Sequence, residues 1–373
     1  MSNSNHQAIT AQPQVPTRVL PAQPRIALLL NANARRVTSK MKTTFAQYLE
    51  NEEDLYFSTS MEEAHRFCKE IYEKEYDLVF TGGGDGTLLG VLSELKKNQQ
   101  KDPFPKQLPA VGILPLGTGN AVASLLGISR NKMGQQLELA KTPSASNITL
   151  RPNYWVEVNG KLAPFAGSGA DSFILNNYVG WKKKMAETPF SFLSSGGLAY
   201  TLAIGFSIPQ LMFSKRTKLE VINEGSVAYQ IGADGEKTKT FEKGETIFTG
   251  SALICGVSTI PCYGFRFNLF PFARSGQHMH LRIATLSVSE VLLNLPSIWR
   301  GSYRSPGLLD YHTEKVRIRY ERPEPLQIGG DAAGRVEEVV YELSQEPTFL
   351  ADFNPVPKQP AFQPSTASRL PLR

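Results

Sequence analysis

Cysteine is scarce. Three occur in 373 residues, Cys68, Cys255 and Cys262, an odd number without metal-ligand spacing. That argues against a disulfide framework or a thiolate zinc site and fits free thiols in a reducing cytoplasm. No basic segment leading into an apolar core opens the sequence, so no signal peptide is expected. Nor is there a basic run interleaved with aromatics, so the net charge of +6 gives no reason to expect a nucleic-acid partner. Four of those charges, Arg18, Lys358, Arg369 and Arg373, lie in two acid-free tails, 1–24 and 353–373. Both tails are rich in Pro, Gln, Ser and Ala and read as disordered extensions. A long apolar run is missing too. Residues 190–213 carry no charge, but only 14 of these 24 are apolar and Gly196, Gly197, Gly205 and Pro209 interrupt them. A spanning helix needs about 20 predominantly apolar residues, so none is expected here.

What is present is a chain that is 41% hydrophobic and long enough for about two domains. Arg25–Leu30 is a short apolar run of the kind a buried parallel strand shows, and 39–50 follows as a helix. Strands over 54–58, 77–81 and 110–114 alternate with helices over 60–74 and 87–97. Ser60-Met-Glu-Glu63 fits a capping box. This alternation predicts a doubly wound α/β domain over 25–143. From 144 to 336 the pattern becomes short alternating strands, and Asn159-Gly160 between two of them signals a type I′ hairpin. A second, mainly antiparallel β-rich domain is expected there. Residues 337–350, with the apolar strand Val339–Leu343, are expected to return to the first domain.

Two glycine loops carry the chemistry. The strand at 77–81 ends in Gly82-Gly83-Gly84-Asp85-Gly86-Thr87, and the one at 110–114 in Pro115-Leu116-Gly117-Thr118-Gly119-Asn120. Such a loop lets backbone approach an anion, and the helix behind it offers free N–H groups. A bare acid beside phosphate would repel it, so Asp85 is read as holding Mg²⁺, directly or through water. Thr87 either caps the helix or bonds a phosphate oxygen. The Walker spacing and the dinucleotide fingerprint are both absent. Consecutive strand ends of an open α/β sheet lie along one edge, which brings the two loops near each other.

These two motifs together resemble the diacylglycerol kinase-type lipid kinases, a family that includes sphingosine, ceramide and bacterial soluble lipid kinases. The resemblance implies an ATP-binding α/β domain, a β-rich lipid domain and an active site in the cleft between them. It further implies ATP and Mg²⁺ as cofactors, and a lipid hydroxyl as acceptor, on diacylglycerol or a sphingoid or related lipid. By position in the family pattern, Asn31, Thr59, Gly83, Gly84, Asp85, Gly86, Thr87 and Thr118 would contact nucleotide. The family's Gln-x-Asp-Gly-Glu segment is similar to Gln327-Ile-Gly329-Gly330-Asp331, which places Asp331 at the glutamate, the proposed general base. Asp331 is either that base, one methylene shorter, or an ordinary turn aspartate.

Pro271–Gly276 resembles a segment that in the family is acidic and holds a structural cation. No acid stands here, so no structural metal is expected. His278 and His280 alternate on a strand, as possible metal ligands or as ordinary strand residues. Arg35, Arg36 and Lys40 either reach phosphates or form a solvated helix start, and Phe165–Asp171 resembles the family's loop that enters the cleft, with Asp171 either a substrate contact or an ordinary loop residue. The uncharged segment 190–213, with Lys182–Lys184 and Lys215, Arg216 and Lys218 at its flanks, suits either peripheral docking on anionic lipid or the core of the second domain. Two other functions stay open. An NAD kinase-like phosphotransferase would share the first loop but not the second. A non-catalytic lipid- or nucleotide-binding relative would account for the altered Gly329-Gly330-Asp331.

Overall fold

A computed structural model describes residues 16–117, 120–141, 148–186, 207–213, 216–263, 267–274, 276 and 278–353, with backbone alone over 181–186. Thr118, the outer parts of both tails and most of 190–213 lie outside the described residues.

The first domain follows the alternation of the sequence. Strands β1 (Ile26–Asn31), β2 (Leu55–Ser58), β3 (Leu78–Gly83), β4 (Ala110–Pro115) and β5 (Thr149–Asn153) are joined by α1 (Ser39–Ala46), α2 (Met61–Glu73), α3 (Asp85–Lys101), α4 (Ala121–Leu125) and α5 (Met133–Lys141). Alternate side chains of β1 enter different cores, which is what a two-sided sheet requires. Ala27 and Leu29 pack with Cys68, Ile71 and Tyr72 of α2 and with Val91 and Leu95 of α3. Leu28 and Leu30 pack with Phe45 of α1 and Leu137 and Ala140 of α5. The capping box forms as expected: the Ser60 hydroxyl accepts from the Glu63 backbone N–H at 3.1 Å, and the Glu63 carboxylate accepts from the backbone N–H of Thr59 at 2.8 Å.

The second domain is a twelve-stranded, antiparallel sheet. It begins with β6 (Val156–Val158), β7 (Lys161–Ala163), β8 (Phe165–Gly169) and helix α6 (Ala170–Ala186). A helical stretch over 207–213, α7, is followed by β9 (Lys218–Asn223), β10 (Val227–Ile231), β11 (Lys237–Glu242), β12 (Thr246–Ser251), β13 (Ile254–Ser258) and β14 (Met279–Ala284). Helices α8 (Val288–Leu293) and α9 (Leu295–Trp299) precede β15 (Leu308–Thr313), β16 (Lys315–Ile328) and β17 (Asp331–Leu343). The β6–β7 hairpin turns through Asn159 at φ +52° and Gly160 at φ +69°, the positive pair that Asn-Gly predicts.

A last strand, β18 (Thr348–Asp352), crosses back into the first sheet, whose order is β2-β1-β3-β4-β18-β5. It runs parallel to β4 and antiparallel to β5. Two expectations are corrected here. Val339–Leu343 does not return: it stays paired with β16, with Val339 opposite Ile318, because its buried residues Val339 and Tyr341 complete the second core. The first domain also extends past 143, since β5 is an edge strand of its sheet. A third correction concerns residues 16–24, which are not a free tail. Arg18 donates to the Leu108 carbonyl and lies over the Phe349 ring.

The two chain crossings between domains lie side by side. The Ser344 backbone N–H donates to the Trp155 carbonyl at 2.8 Å, and the Trp155 N–H donates to the Ser344 hydroxyl at 3.1 Å. Around them a shared core joins Leu88, Leu89 and Leu92 of α3 to Trp155, Phe165, Ile260 and Phe270 of the second domain.

Candidate active site

The two glycine loops touch. The Leu116 and Gly117 N–H groups both donate to the Gly83 carbonyl, at 2.9 and 2.7 Å. A Cβ on Gly117 would lie 2.2 Å from the Gly84 Cα, and one on Gly83 would lie 2.3 Å from the Thr87 hydroxyl. Here glycine is required by close approach of chain to chain. A Cβ on Gly86 meets nothing within 4 Å, so that face of the loop is open. Backbone amides on an open, side-chain-free face at the start of a helix are a fit for phosphate.

Polar side chains gather around the loops. Asn31, at the end of β1, donates through Nδ2 to the Thr87 hydroxyl at 3.0 Å, and its Oδ1 accepts from the Asn33 N–H. Asn33 in turn donates to the Thr59 carbonyl at 2.8 Å, which draws in the loop after β2. The Thr59 hydroxyl donates to Glu63 and so serves the cap of α2. Arg36 and Asn120 both donate to the Gly117 carbonyl. Beside them Arg36, Arg130, Asn131 and Ser129 line a polar cavity of about 380 Å³ without an acid. Of the sequence-expected contacts, Asn31, Thr59, Gly83, Gly84, Asp85, Gly86 and Thr87 are all in this neighbourhood, whereas Thr118 lies outside the described residues.

Asp85 is held by backbone. Its Oδ2 accepts from the Ala121 N–H at 2.7 Å and its Oδ1 from the Val122 N–H at 3.1 Å. Both oxygens therefore cap the first turn of α4 and tie the first glycine loop to the second. Burial raises its pKa, and the two backbone N–H groups oppose that rise. No second acid joins it, and among the described residues no group of three His, Cys, Asp or Glu is arranged to hold a metal ion. The chain's own residues fit a phosphate group here but do not by themselves form a Mg²⁺ site.

The far wall comes from the second domain. Gly329 and Gly330, at φ +61° and +87°, make the tight turn from β16 to β17. The Gly329 N–H donates to the Phe165 carbonyl, and a Cβ there would sit 3.4 Å from Leu89 of α3. The turn carrying Asp331 is thus held against the helix that leaves the first glycine loop. Asp331 itself is exposed. Next to it Gln327 is buried; its Oε1 accepts from the Gly330 N–H, while its Nε2 has no partner. Asp171, largely buried, accepts from the Tyr263 hydroxyl at 2.6 Å, and Tyr263 stacks on Phe165 at 4.2 Å. Burial raises the Asp171 pKa, and the Tyr263 bond opposes it.

On the other face of β8 lies a cavity of about 490 Å³. Its walls are Ala170, Phe173, Leu211, Leu219, Leu253 and Cys255, with the Ser168 and Tyr320 hydroxyls bonded to each other at 2.7 Å. Arg216, Glu324 and the exposed Arg322 and Arg335 also line it. A largely apolar chamber with three arginines in its lining suits an amphiphile.

A charged cluster that the sequence did not reveal lies near the 268–274 segment. Asp310 receives Nε and Nη2 of Arg282, at 2.6 and 3.0 Å, and bonds Nε2 of His280 at 2.8 Å. Arg282 also donates to the Leu269 carbonyl, and His312 bonds the Phe272 carbonyl. This segment is pinned by side-chain cations and an imidazole. His280 is buried against Asp310, and His278 stacks on His312 at 6.1 Å, so neither faces an open metal site.

Residues 25–150 match the diacylglycerol kinase catalytic domain. The chain is 30% identical over 135 residues to the diacylglycerol kinase of Bacillus subtilis strain 168, covering 34% of this chain and 41% of that one. It is 36% identical over 88 residues to the protein of Shigella flexneri named "probable lipid kinase YegS", covering 24% and 27%. The matched stretches therefore span less than half of these relatives. In fold the likeness runs further. The crystal structure of a diacylglycerol kinase from Bacillus anthracis str. Sterne covers 89% of this chain and 97% of its own, at 14% identity and a TM-score of 0.55. Residues 25–150 are thus similar to the diacylglycerol kinase catalytic domain, and the fold of the whole chain, an α/β domain with paired glycine loops beside a β-rich domain, is similar to that of a diacylglycerol kinase.

Proposed function

We propose that this chain is an ATP-dependent lipid kinase that transfers the γ-phosphate to a hydroxyl of diacylglycerol or a sphingoid or related lipid. The observation that carries the reading is the contact between the two glycine loops, which leaves a side-chain-free face at the start of α3, in a chain whose second domain holds a largely apolar cavity. In this reading the loop amides, Asn31, Thr87 and Arg36 bind and orient the phosphates. Asp85 holds the two loops in register. Mg²⁺, arriving with ATP, would supply charge neutralisation on the phosphates. Asp331 accepts the proton of the lipid hydroxyl as that oxygen attacks phosphorus, and the transferred group leaves ADP. Phosphoryl transfer needs mainly positioning and electrostatics, so one well-placed carboxylate suffices as proton acceptor.

The test is incubation with radiolabelled ATP and mixed micelles of diacylglycerol, monoacylglycerol, sphingosine or ceramide. One labelled phospholipid is expected. Normal ATP binding with no labelled product from any acceptor would refute it. That second outcome is the signature of a non-catalytic binding relative, a reading favoured by the capping role of Asp85 and the exposure of Asp331.

A further inference from the structure

Resting on the lipid kinase reading, we infer that α7, α8 and α9 form an edge that docks on the surface of an anionic bilayer. Six of the large hydrophobic side chains exposed in the described residues come from these helices: Met212, Phe213, Leu292, Leu293, Leu295 and Trp299. Phe213 is 88% exposed and Leu293 82%. The helices form one platform. Ile208 and Leu211 of α7 and Val291 of α8 pack on a common core of Ala170, Leu253 and Val288. Arg216, just beyond α7, donates to the carbonyls of Thr285 and Leu286, which lead into α8.

Charge and continuity identify the occupant. Lys218 and Arg300, both exposed, flank the apolar side chains, and Arg216 lies just beyond α7. The acid of α8, Glu290, is engaged by the Tyr303 and Ser305 hydroxyls. Apolar side chains that protrude, with cations beside them and a tryptophan, match the headgroup–acyl boundary of a membrane. Leu211 and Arg216 also line the 490 Å³ cavity, so the edge adjoins it. A lipid would pass from the bilayer into that chamber without crossing water.

Co-sedimentation with vesicles tests this in the absence of nucleotide. The full chain is expected to pellet with phosphatidylglycerol–phosphatidylcholine vesicles and to pellet less as salt rises. Phe213→Asp with Leu293→Asp should lower partitioning at least tenfold with an unchanged unfolding midpoint, since both side chains are solvent-exposed. Phe104→Asp, 84% exposed on the other domain, should bind like wild type. A double variant that pellets like wild type would overturn the inference, as would a wild-type chain that stays in the supernatant or self-associates through this edge instead. The two readings fail separately. Vesicle binding without lipid phosphorylation sinks only the kinase assignment, and phosphorylation of micellar lipid by a chain that ignores vesicles sinks only the docking edge.

Discussion

Gly117→Ala is the sharpest probe of the loop-to-loop contact. The new methyl would begin 2.2 Å from the Gly84 Cα and 2.5 Å from its nitrogen, and both are backbone atoms that cannot rotate away. The loops must separate by more than an ångström, which breaks the bonds from Leu116 and Gly117 N–H to the Gly83 carbonyl. Two net backbone hydrogen bonds are worth about 2 kcal/mol, and residual overpacking adds about 1–3 kcal/mol. The expected loss of stability is thus about 3–5 kcal/mol, read by denaturant unfolding. A displacement of an ångström at the reacting group also costs about 100-fold in turnover. Gly86→Ala is the counterpart: its Cβ meets nothing within 4 Å and the position is helical. It should stabilise the fold by about 0.5–1 kcal/mol while weakening ATP binding in a calorimetric titration, because the methyl occupies the phosphate-facing side. A Gly117→Ala protein with wild-type stability and ATP affinity would refute the reasoning.

Asp331→Asn should lower lipid phosphorylation by 100-fold or more with ATP affinity intact, and Asp331→Glu should restore much of it; full activity in the asparagine variant removes the base assignment. Asp310→Asn leaves the buried Arg282 guanidinium without its counter-charge and should cost about 3–5 kcal/mol, measured as a shift in urea midpoint; a loss under 1 kcal/mol contradicts the pairing. Stability should fall as pH drops from 7 to 5. Burial lowers the pKa of His278 and His280, and that of His312 to about 4, whereas in the unfolded chain each titrates near 6.5. Below about pH 6.5 the unfolded chain binds more protons, so each histidine contributes a slope of up to about 1.4 kcal/mol per pH unit. Burial alone would raise Asp310, but His280 and Arg282 hold it well below the usual carboxylate range, so its contribution is lost only at more acid pH. A stability profile flat from pH 7 to 5 would contradict the burial of these rings.

What the sequence revealed depended on how local the signal was. β1, β3 and β4 were legible because continuous apolar runs need no partner to be recognised, and the Ser60–Glu63 cap is written within four residues. The meeting of the glycine loops was legible from strand order alone. β11 was not: of Lys237–Glu242 only Phe241 is buried, so the strand is defined by pairing with β10 and not by pattern. β17 was legible only in its last residues, Val339–Leu343; the mostly exposed Ala, Arg and Glu before them are defined by pairing with β16. The capping of α4 by Asp85 was not legible, because the two N–H groups that hold it come from 36 and 37 residues downstream. Asp310 gave no signal, because its partners Arg282 and His280 are 28 and 30 residues away.

The returning strand β18 bears on how the chain is made. The sheet of the first domain is missing an inner strand until residues 348–352 emerge, after the second domain has been synthesised. Until then β4, buried along its whole length, has a bare edge, and β5 has no neighbour in the sheet at all. An unpaired apolar edge is a template for aggregation. A fragment cut after residue 150, where the catalytic-domain match ends, would keep both glycine loops and lose the strand that makes their sheet continuous. Production of a well-behaved first domain therefore requires a joined segment, with residues 348–352 spliced behind β5, and not a simple truncation.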